Sequence, residues 1–131
     1  MAAFEDLTVW NRAKHLTVLI YGIMQSCNDY GFRDQIQRAA VSIMNNVAEG
    51  SESGSNQTYV KFLLIARGSC AEVRSMLYLA NELGYCSAQE AKHLINECQG
   101  ITGALNKLID YFRKLDTDTL SRQNPKNNSK T

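Results

Sequence analysis

The stretch from Ile36 to Gly50 constrains most strongly what this chain can fold into. Apolar or small residues recur in it at intervals of four, three, four and three, namely Ile36, Ala40, Ile43, Val47 and Gly50. This spacing places them on one face of an α-helix. Because the buried side carries alanine and glycine among its larger residues, neighbouring helices can approach it closely. The stretch is therefore predicted to be an inner helix of a helical bundle.

Three more segments carry a helical apolar stripe. Helix 1 is predicted from Leu7 to Cys27, helix 2 from about 33–35 to 52–54, and helix 3 from Asn56 to Leu83. Helix 4 follows a Ser87-Ala88-Gln89-Glu90 capping box. The stripes of helices 1, 3 and 4 are Val9, Ala13, Leu16, Ile20, Ile23 and Cys27; Tyr59, Phe62, Ala66, Ser69, Val73, Met76, Ala80 and Leu83; and Ala91, Leu94, Cys98, Ile101, Leu105, Leu108 and Phe112.

Four apolar stripes joined by short connections predict an all-α fold, an antiparallel up-and-down four-helix bundle. We expect this single domain to occupy residues 1–115. Residues 116–131 contain a proline, three asparagines and few apolar side chains. That composition predicts a disordered polar tail.

Charge and cysteine content narrow the functional classes. The chain has 14 Lys plus Arg against 13 Asp plus Glu, so a net charge of +1 gives no global attraction to nucleic acid, and an anion site would have to be local. No secretory leader or membrane-spanning run is apparent, which predicts a cytoplasmic protein without membrane contact. The four cysteines form no C-x-x-C pair. They are predicted to be small buried hydrophobes, with a disulfide or metal cluster as the alternative.

The sequence offers little support for catalysis. Glu90 and His93 have the Glu-x-x-His spacing of dimetal carboxylate proteins, but such sites need two copies and two further glutamates. Glu90 is also accounted for by helix capping. No nucleophile motif or phosphate-binding loop is present. We therefore expect a protein that is not an enzyme and has no metal or cofactor.

Basic residues on helices 2 and 3 are the candidates for a ligand surface. Arg67 and Arg74 lie seven residues apart on helix 3, with Lys61 close to the same side, and Arg38 lies on the polar face of helix 2. These four residues are the predicted nucleic-acid-binding residues. The alternative is a solvated face or ion pairs, with Glu72 and Glu49 as partners.

A second apolar stripe runs along helix 3. Leu64, Ala71 and Tyr78 recur at seven-residue intervals opposite the seam, and helix 1 has a smaller surplus that includes Val18 and Tyr21. A helix that is apolar almost all round is normally covered on both sides. These residues therefore predict a homo-oligomer, whereas packing under the tail or against helix 4 is the alternative.

Three residues of helix 2 are interpreted as structural. Asn46 lies beside the seam and is expected to accept or donate hydrogen bonds across to an adjacent helix, because an unpaired buried amide would be costly. Glu49 and Gly50 are expected to help hold helix 2 against its neighbours.

The same region resembles a known family. Gln35-Ile36, Arg38-Ala39-Ala40, Ser42-Ile43, Val47-Ala48-Glu49-Gly50 and Ile65-Ala66-Arg67-Gly68-Ser69 are similar to the small bacterial four-helix-bundle proteins encoded in intervening sequences of 23S ribosomal RNA genes. The resemblance extends over roughly residues 4 to 115. This family resembles in turn the accessory variability protein of diversity-generating retroelements, a ring of five that works with a reverse transcriptase and RNA.

The resemblance implies a pentamer and partners among RNA, DNA, a reverse transcriptase or another nucleic-acid enzyme. Our leading hypothesis is a non-enzymatic, self-assembling bundle that binds nucleic acid or such an enzyme through basic residues repeated around a ring. The alternative is a protein-interaction scaffold without affinity for nucleic acid.

Overall fold

The computed structural model describes residues 3–123, and within this range it contains helices and no strand. After a short 3-10 turn over Phe4–Asp6 come four α-helices: α1 (Thr8–Met24), α2 (Tyr30–Ser51), α3 (Asn56–Glu82) and α4 (Ala88–Gln123). The prediction of an all-α fold is confirmed.

The four helices form a square in which sequence neighbours lie side by side. α2 packs against α3, α3 against α4, and α1 against both α2 and α4; within the described range α1 makes no helix contact with α3. Contacts that pair the start of one helix with the end of the next show the antiparallel direction, such as Asn56 Nδ2 with Asp116 Oδ1 at 3.2 Å. The antiparallel up-and-down bundle is therefore also confirmed, with α1 and α3 on one diagonal.

The predicted stripes form the core, with a shift on α3. All five residues of the α2 stripe are buried. On α3, by contrast, the fully buried positions include Leu63, Cys70 and Leu77, whereas the predicted seam residue Leu83 is 49% exposed. Because α3 is covered by α2 on one side and α4 on the other, its buried arc is wider than a single stripe.

The helix ends follow local chemistry. Glu90 accepts from the Ser87 amide and Ser87 Oγ accepts from the Glu90 amide, as a capping box requires. α3 ends at Glu82, and Gly84 just after its C-cap has a φ of +75°, the left-handed conformation that favours glycine. α2 begins at Tyr30, earlier than predicted, because Asp29 accepts a hydrogen bond from the Phe32 amide.

α4 continues beyond Leu115, where the packed domain was predicted to end. The helix runs on to Gln123, and Thr117 Oγ1 donates to the Arg113 carbonyl one turn earlier. Helical structure therefore occupies the first part of the predicted tail, since a helix already begun adds a hydrogen bond with each residue. The boundary at 115 stays a prediction, and residues 124–131 lie outside the described residues.

Two sequence-level expectations concern the cysteines and the membrane. Cys27, Cys70 and Cys98 are buried, Cys86 is half-buried, and all four are free thiols. They pack as small apolar residues, as expected. No helix in the described range is both long and apolar enough to cross a bilayer.

Gly50 sets the distance between α2 and α3. A β-carbon at this position would lie 2.8 Å from Tyr59 Cδ1 and 2.9 Å from Phe62 Cβ. The Tyr59 ring is itself held against Phe112 of α4, with ring centroids 4.5 Å apart. The ring cannot move away without disturbing the α3 and α4 contact, so only glycine fits here.

We predict that Gly50→Ala lowers the free energy of unfolding by about 1 to 3 kcal/mol, the usual cost of overpacking a core. Urea unfolding followed by circular dichroism measures this change. Gly103→Ala is the matched control, because Gly103 is exposed on α4 and a β-carbon there meets nothing within 4 Å. Helix propensity should make that control neutral or more stable by up to about 1 kcal/mol. Equal destabilisation of both variants would contradict the close-packing explanation.

One hydrogen bond ties together the two loops at one end of the bundle. Tyr85 Oη donates to Asp29 Oδ2 at 2.6 Å, and the Tyr85 ring meets the edge of Phe32 with centroids 5.2 Å apart. The Tyr85 hydrogen bond, followed by the Phe32 amide, lowers the pKa of Asp29. The same bond to a carboxylate raises the pKa of Tyr85.

These shifts predict how the stability contributed by this bond depends on pH. A lowered Asp29 pKa adds stability above the ordinary aspartate pKa, and this is lost as pH falls through the folded value. A raised Tyr85 pKa adds stability below the ordinary tyrosine pKa, and this is lost as pH rises through the folded value. The gap in unfolding free energy between the parent and Tyr85→Phe should therefore be largest around neutrality and shrink at both extremes. Tyr30→Phe, at a neighbouring exposed tyrosine, should show no such profile; a pH-independent gap for Tyr85→Phe would contradict the assignment.

Candidate functional site

Two of the four predicted nucleic-acid-binding residues, Arg67 and Arg74, lie on the surface that α3 shares with α4. Arg67 Nη1 donates to Asn106 Oδ1 at 2.8 Å, which directs this guanidinium toward α4. Both arginines are exposed. We call the surface formed by α3 and α4 along this line the α3–α4 face.

Arg74 lies near two buried thiols at the centre of the α3–α4 face. Cys70 Sγ donates to the Cys98 carbonyl at 3.2 Å, so α3 and α4 are close together there. A side-chain hydrogen bond donated by the Cys98 thiol lowers the pKa of Cys70 to about 7, and the same bond raises the pKa of Cys98. The positive charge of Arg74 favours the thiolate at both positions. Arg74 follows Arg67 by seven residues and therefore lies on the same side of α3.

The other two predicted residues lie apart from this pair. Lys61 is exposed on the outer side of α3, seven residues before Gly68. Arg38 lies on α2 and lines a groove of about 560 Å³ between α2 and α3, together with Asp34 and Glu72. The two carboxylates make this groove a poor place for a polyanion. The four basic residues are therefore not brought to one place.

Helix α4 carries basic residues that the prediction from helices 2 and 3 missed. Lys92, Gln99, Asn106 and Arg113 recur at seven-residue intervals and so follow one line along α4. Because Asn106 contacts Arg67, this line runs beside the Arg67 and Arg74 line of α3. The same seven-residue search applied to helix 4 would have found Lys92 and Arg113.

The predicted interface stripe of α3 is only partly exposed. Leu64 is half-buried against the core, whereas Ala71 is exposed and Tyr78 is 58% exposed. Tyr78 lines a groove with α4 residues, so this stripe follows the α4 side of the helix. The apolar surface continues on the other side with Ile65 and Leu79, which are 53% and 49% exposed.

Between these two apolar lines runs a line of small residues that includes Gly68 and Ser75, both exposed. We call this whole exposed surface, with Ile65, Ala71 and Leu79, the outer face of α3. Four of the eight large apolar side chains exposed in the described range belong to α3 or its C-cap. The exposed apolar surface of the bundle is therefore concentrated on this one helix.

The predicted interface residues of α1 are both exposed. Val18 is 64% exposed and Tyr21 is 47% exposed, the latter beside a groove that reaches Asn45 and Arg38 on α2. Because α1 and α3 lie on one diagonal of the bundle, their outer faces point in opposite directions. Two different faces on opposite sides suit a head-to-tail contact between copies.

Asn46, Glu49 and Gly50 of α2, which were predicted to be structural, differ in the contacts that they make. Asn46 Nδ2 donates to the Ser42 carbonyl at 2.8 Å and to Ser42 Oγ at 3.0 Å, so its amide bonds to its own helix and not to an adjacent one as expected. The link between helices is made by Ser42 and Ser69, whose hydroxyl oxygens lie 2.8 Å apart. Gly50 is at the close approach to α3, and Glu49 is exposed.

The residues of the rejected metal site are placed at the surface. His93 is exposed, and Glu90 is engaged in the capping box. In the part of the chain that the structure describes, no group of three or more His, Cys, Asp or Glu side chains is arranged to hold a metal ion.

Comparison with known proteins identifies a matching family and a crystal structure with a similar fold. The family described as 23S rRNA-intervening sequence protein matches residues 5–107. A crystal structure of a protein of unknown function from the S23 ribosomal protein family of Bacteroides thetaiotaomicron VPI-5482 is similar, with a TM-score of 0.73 and 22% sequence identity. The match covers 78% of this chain and 98% of that one. No curated protein matches the chain.

Proposed function

The chain belongs to the 23S rRNA-intervening sequence protein family, and we propose that it is a non-enzymatic, self-assembling bundle that binds nucleic acid, or an enzyme acting on nucleic acid, through basic residues repeated around the assembly. The proposal rests chiefly on the outer face of α3. There Ile65 and Leu79 are about half exposed beside a line of small residues, and contact with a second copy would bury both side chains.

The outer face of α3 has the shape and chemistry of a helix-packing surface. Gly68 and Ser75 lie between apolar lines, and a β-carbon at Gly68 would meet nothing within 4 Å. Small residues let a second helix approach closely, and Ile65 and Leu79 on the flank would then be buried. The corresponding surface of the next copy is the outer side of α1, with Val18 and Tyr21. Repetition of this contact closes a ring if the rotation per copy allows it, and the family resemblance suggests five copies.

Arg67 and Arg74 supply the charge for the second part of the proposal. The chain as a whole is nearly neutral, with a net charge of +1, so attraction to phosphate must come from a local surface. On the α3–α4 face these two arginines are joined by Lys92 and Arg113 of α4. Assembly would repeat this basic line once per copy. Several weak phosphate contacts made by one assembly then give a higher overall affinity for the nucleic acid.

Assembly can be tested by light scattering on the purified protein. We expect the parent to form an oligomer, and Ile65→Glu with Leu79→Glu to dissociate it, because charges would be buried in the contact. Both positions are about half exposed, so the fold should survive, whereas a charge at the half-buried Leu64 would strain the core. Tyr111→Glu, on an equally exposed aromatic of α4, is the control and should stay assembled. A parent that is monomeric at micromolar concentration would refute assembly, and a dimer would refute only the ring.

Nucleic-acid binding can be tested by electrophoretic retardation of structured RNA and duplex DNA at low and moderate salt. We expect binding that weakens steeply with salt, and the triple variant Arg67→Gln, Arg74→Gln, Arg113→Gln on the α3–α4 face should bind roughly tenfold more weakly or worse. Each lost phosphate contact on duplex DNA should reduce the slope of log affinity against log salt by about 0.9.

The matched control for that experiment is Lys14→Gln, Arg33→Gln, Lys107→Gln, which removes the same charge from other parts of the surface. If both triple variants lose affinity equally, the effect is one of net charge and the assigned residues are wrong. If the parent binds neither nucleic acid at low salt, the alternative of a protein-interaction scaffold replaces the proposal.

A further inference from the structure

The α3–α4 face ends in a groove whose chemistry differs from the rest of the surface. It lies between the C-terminal half of α3 and the N-terminal half of α4 and encloses about 290 Å³. Apart from two alanines, the residues that line it are Tyr78, Asn81, Lys92, Ile95, Asn96 and Gln99. We call it the Tyr78 groove.

The lining of the Tyr78 groove combines one aromatic ring, one cation and three primary amides, and none of its residues carries a carboxylate. The larger groove between α2 and α3 contains Asp34 and Glu72, which would repel an anion. An anionic ligand is therefore favoured in the Tyr78 groove and disfavoured in the α2 and α3 groove.

The same set of groups matches the parts of an unpaired nucleotide. Every base has a π-face that can stack on an exposed tyrosine, and Tyr78 is 58% exposed. Amide side chains present both donors and acceptors, which suit the edges of a base that is not already paired. Lys92 supplies the positive charge for a phosphate, and the buried Ile95 gives the groove an apolar wall. A base inside a duplex could reach neither the ring nor the amides.

The groove is also continuous with a path for a nucleic-acid backbone. Arg67, Arg74 and Asn81 are seven residues apart on α3, and Lys92, Gln99 and Asn106 are seven apart on α4. The hydrogen bond between Arg67 and Asn106 shows that the two lines run side by side. From Arg67 to Asn81 the path is roughly 21 Å long at 1.5 Å per residue. A strand whose base enters the groove can therefore lay its phosphates along Arg74 and Arg67.

The polar surroundings of Tyr78 separate it from the assembly surface. Ile65 and Leu79 flank the line of small residues on the outer face of α3, whereas Tyr78 lines the groove together with Asn81 of its own helix and with Lys92 and Gln99 of α4. A subunit contact over this ring would bury a lysine and several amides without assigned partners, which is costly. Tyr78 is thus better suited to a polar ligand than to an apolar interface.

We propose that the Tyr78 groove binds an unpaired nucleotide of a single-stranded nucleic acid, with Tyr78 stacking on the base and Lys92 contacting a phosphate. The inference rests on the proposed nucleic-acid function and adds to it the strandedness of the ligand and the residues that recognise the base.

Fluorescence anisotropy with labelled oligonucleotides of about ten nucleotides tests the proposal. Single-stranded RNA, single-stranded DNA of the same sequence and the corresponding duplexes are titrated with the full-length protein. We expect tighter binding of the single strands than of the duplexes. Tyr78→Ala should weaken single-strand binding by about 5- to 150-fold, the effect of removing one stacking aromatic, and leave duplex binding unchanged.

Two conservative variants and one control identify the interaction. Tyr78→Phe keeps the ring and should bind single strands nearly as the parent does, while Lys92→Gln should bind more weakly and with a shallower salt dependence. Tyr111→Ala removes a tyrosine that is about as exposed as Tyr78 but lies on α4 outside the groove, and it should leave the affinity for single strands unchanged. Circular dichroism and light scattering check that each variant keeps its fold and assembly.

The outcomes separate this inference from the function on which it rests. The groove assignment is overturned if Tyr78→Ala binds single strands as tightly as the parent does. It is also overturned if Tyr78→Ala and Tyr111→Ala lose the same amount of single-strand affinity. In either case, salt-dependent binding of the duplex would leave the proposed function standing. Dissociation of the oligomer by Tyr78→Ala also overturns it, because Tyr78 would then be an interface residue. Absence of all binding at low salt overturns both. Tyr78-dependent binding of RNA alone, or of RNA and DNA alike, supports the groove and shows whether a ribose hydroxyl contributes.

Discussion

The close packing of α3 between α2 and α4 is the constraint on which the rest of the structure depends. On one side Gly50 admits the Tyr59 ring to the surface of α2, and on the other side the same ring packs on Phe112 of α4. Cys70 and Cys98 bring α3 and α4 together at mid-length. Gly50 on α2 and the two cysteines at mid-length are small enough for the helices to approach closely and pack without gaps.

This arrangement also explains how α3 can contribute to several surfaces at once. A helix covered on two sides still leaves an outer arc and the edges of two grooves exposed. On α3 these exposed parts have different chemistry: Glu72 lines the groove with α2, small and apolar residues form most of the outer face, and Arg67 and Asn81 lie on the side next to α4. The bundle thus separates an apolar surface suited to contact with another copy from a basic one suited to phosphate.

Electrostatics here operate locally because the chain is close to neutral overall. Two acidic residues have structural roles. Asp29 joins two loops and caps α2, and Glu90 caps α4. Glu97 lies near Arg12 across the contact between α1 and α4, with an N to O distance of 3.7 Å. The residues that line the Tyr78 groove, Lys92 among them, include no carboxylate.

Much of the fold could be predicted from the sequence, because helix formation and burial depend on periodicity along one segment. The stripe from Ile36 to Gly50 and the capping box at Ser87 are local patterns, and the structure confirms both of them. The sequence did not predict the early start of α2, because Asp29 stands among residues that are typical of a turn. In the structure Asp29 caps the helix through one side-chain hydrogen bond.

The surfaces could not be predicted in the same way, because they depend on which helices lie side by side. Sequence spacing placed Lys61, Arg67 and Arg74 on one helix, but only packing against α4 brings Arg67 to Asn106 and leaves Lys61 and Arg38 elsewhere. Likewise Leu64 looked like an outer residue until the width of the buried arc on α3 was known. The sequence by itself determined the four helices and their apolar faces, because those are properties of short segments. The tertiary structure alone decided which polar and apolar residues from different helices share a surface, because their distances are set by the packing of the whole bundle.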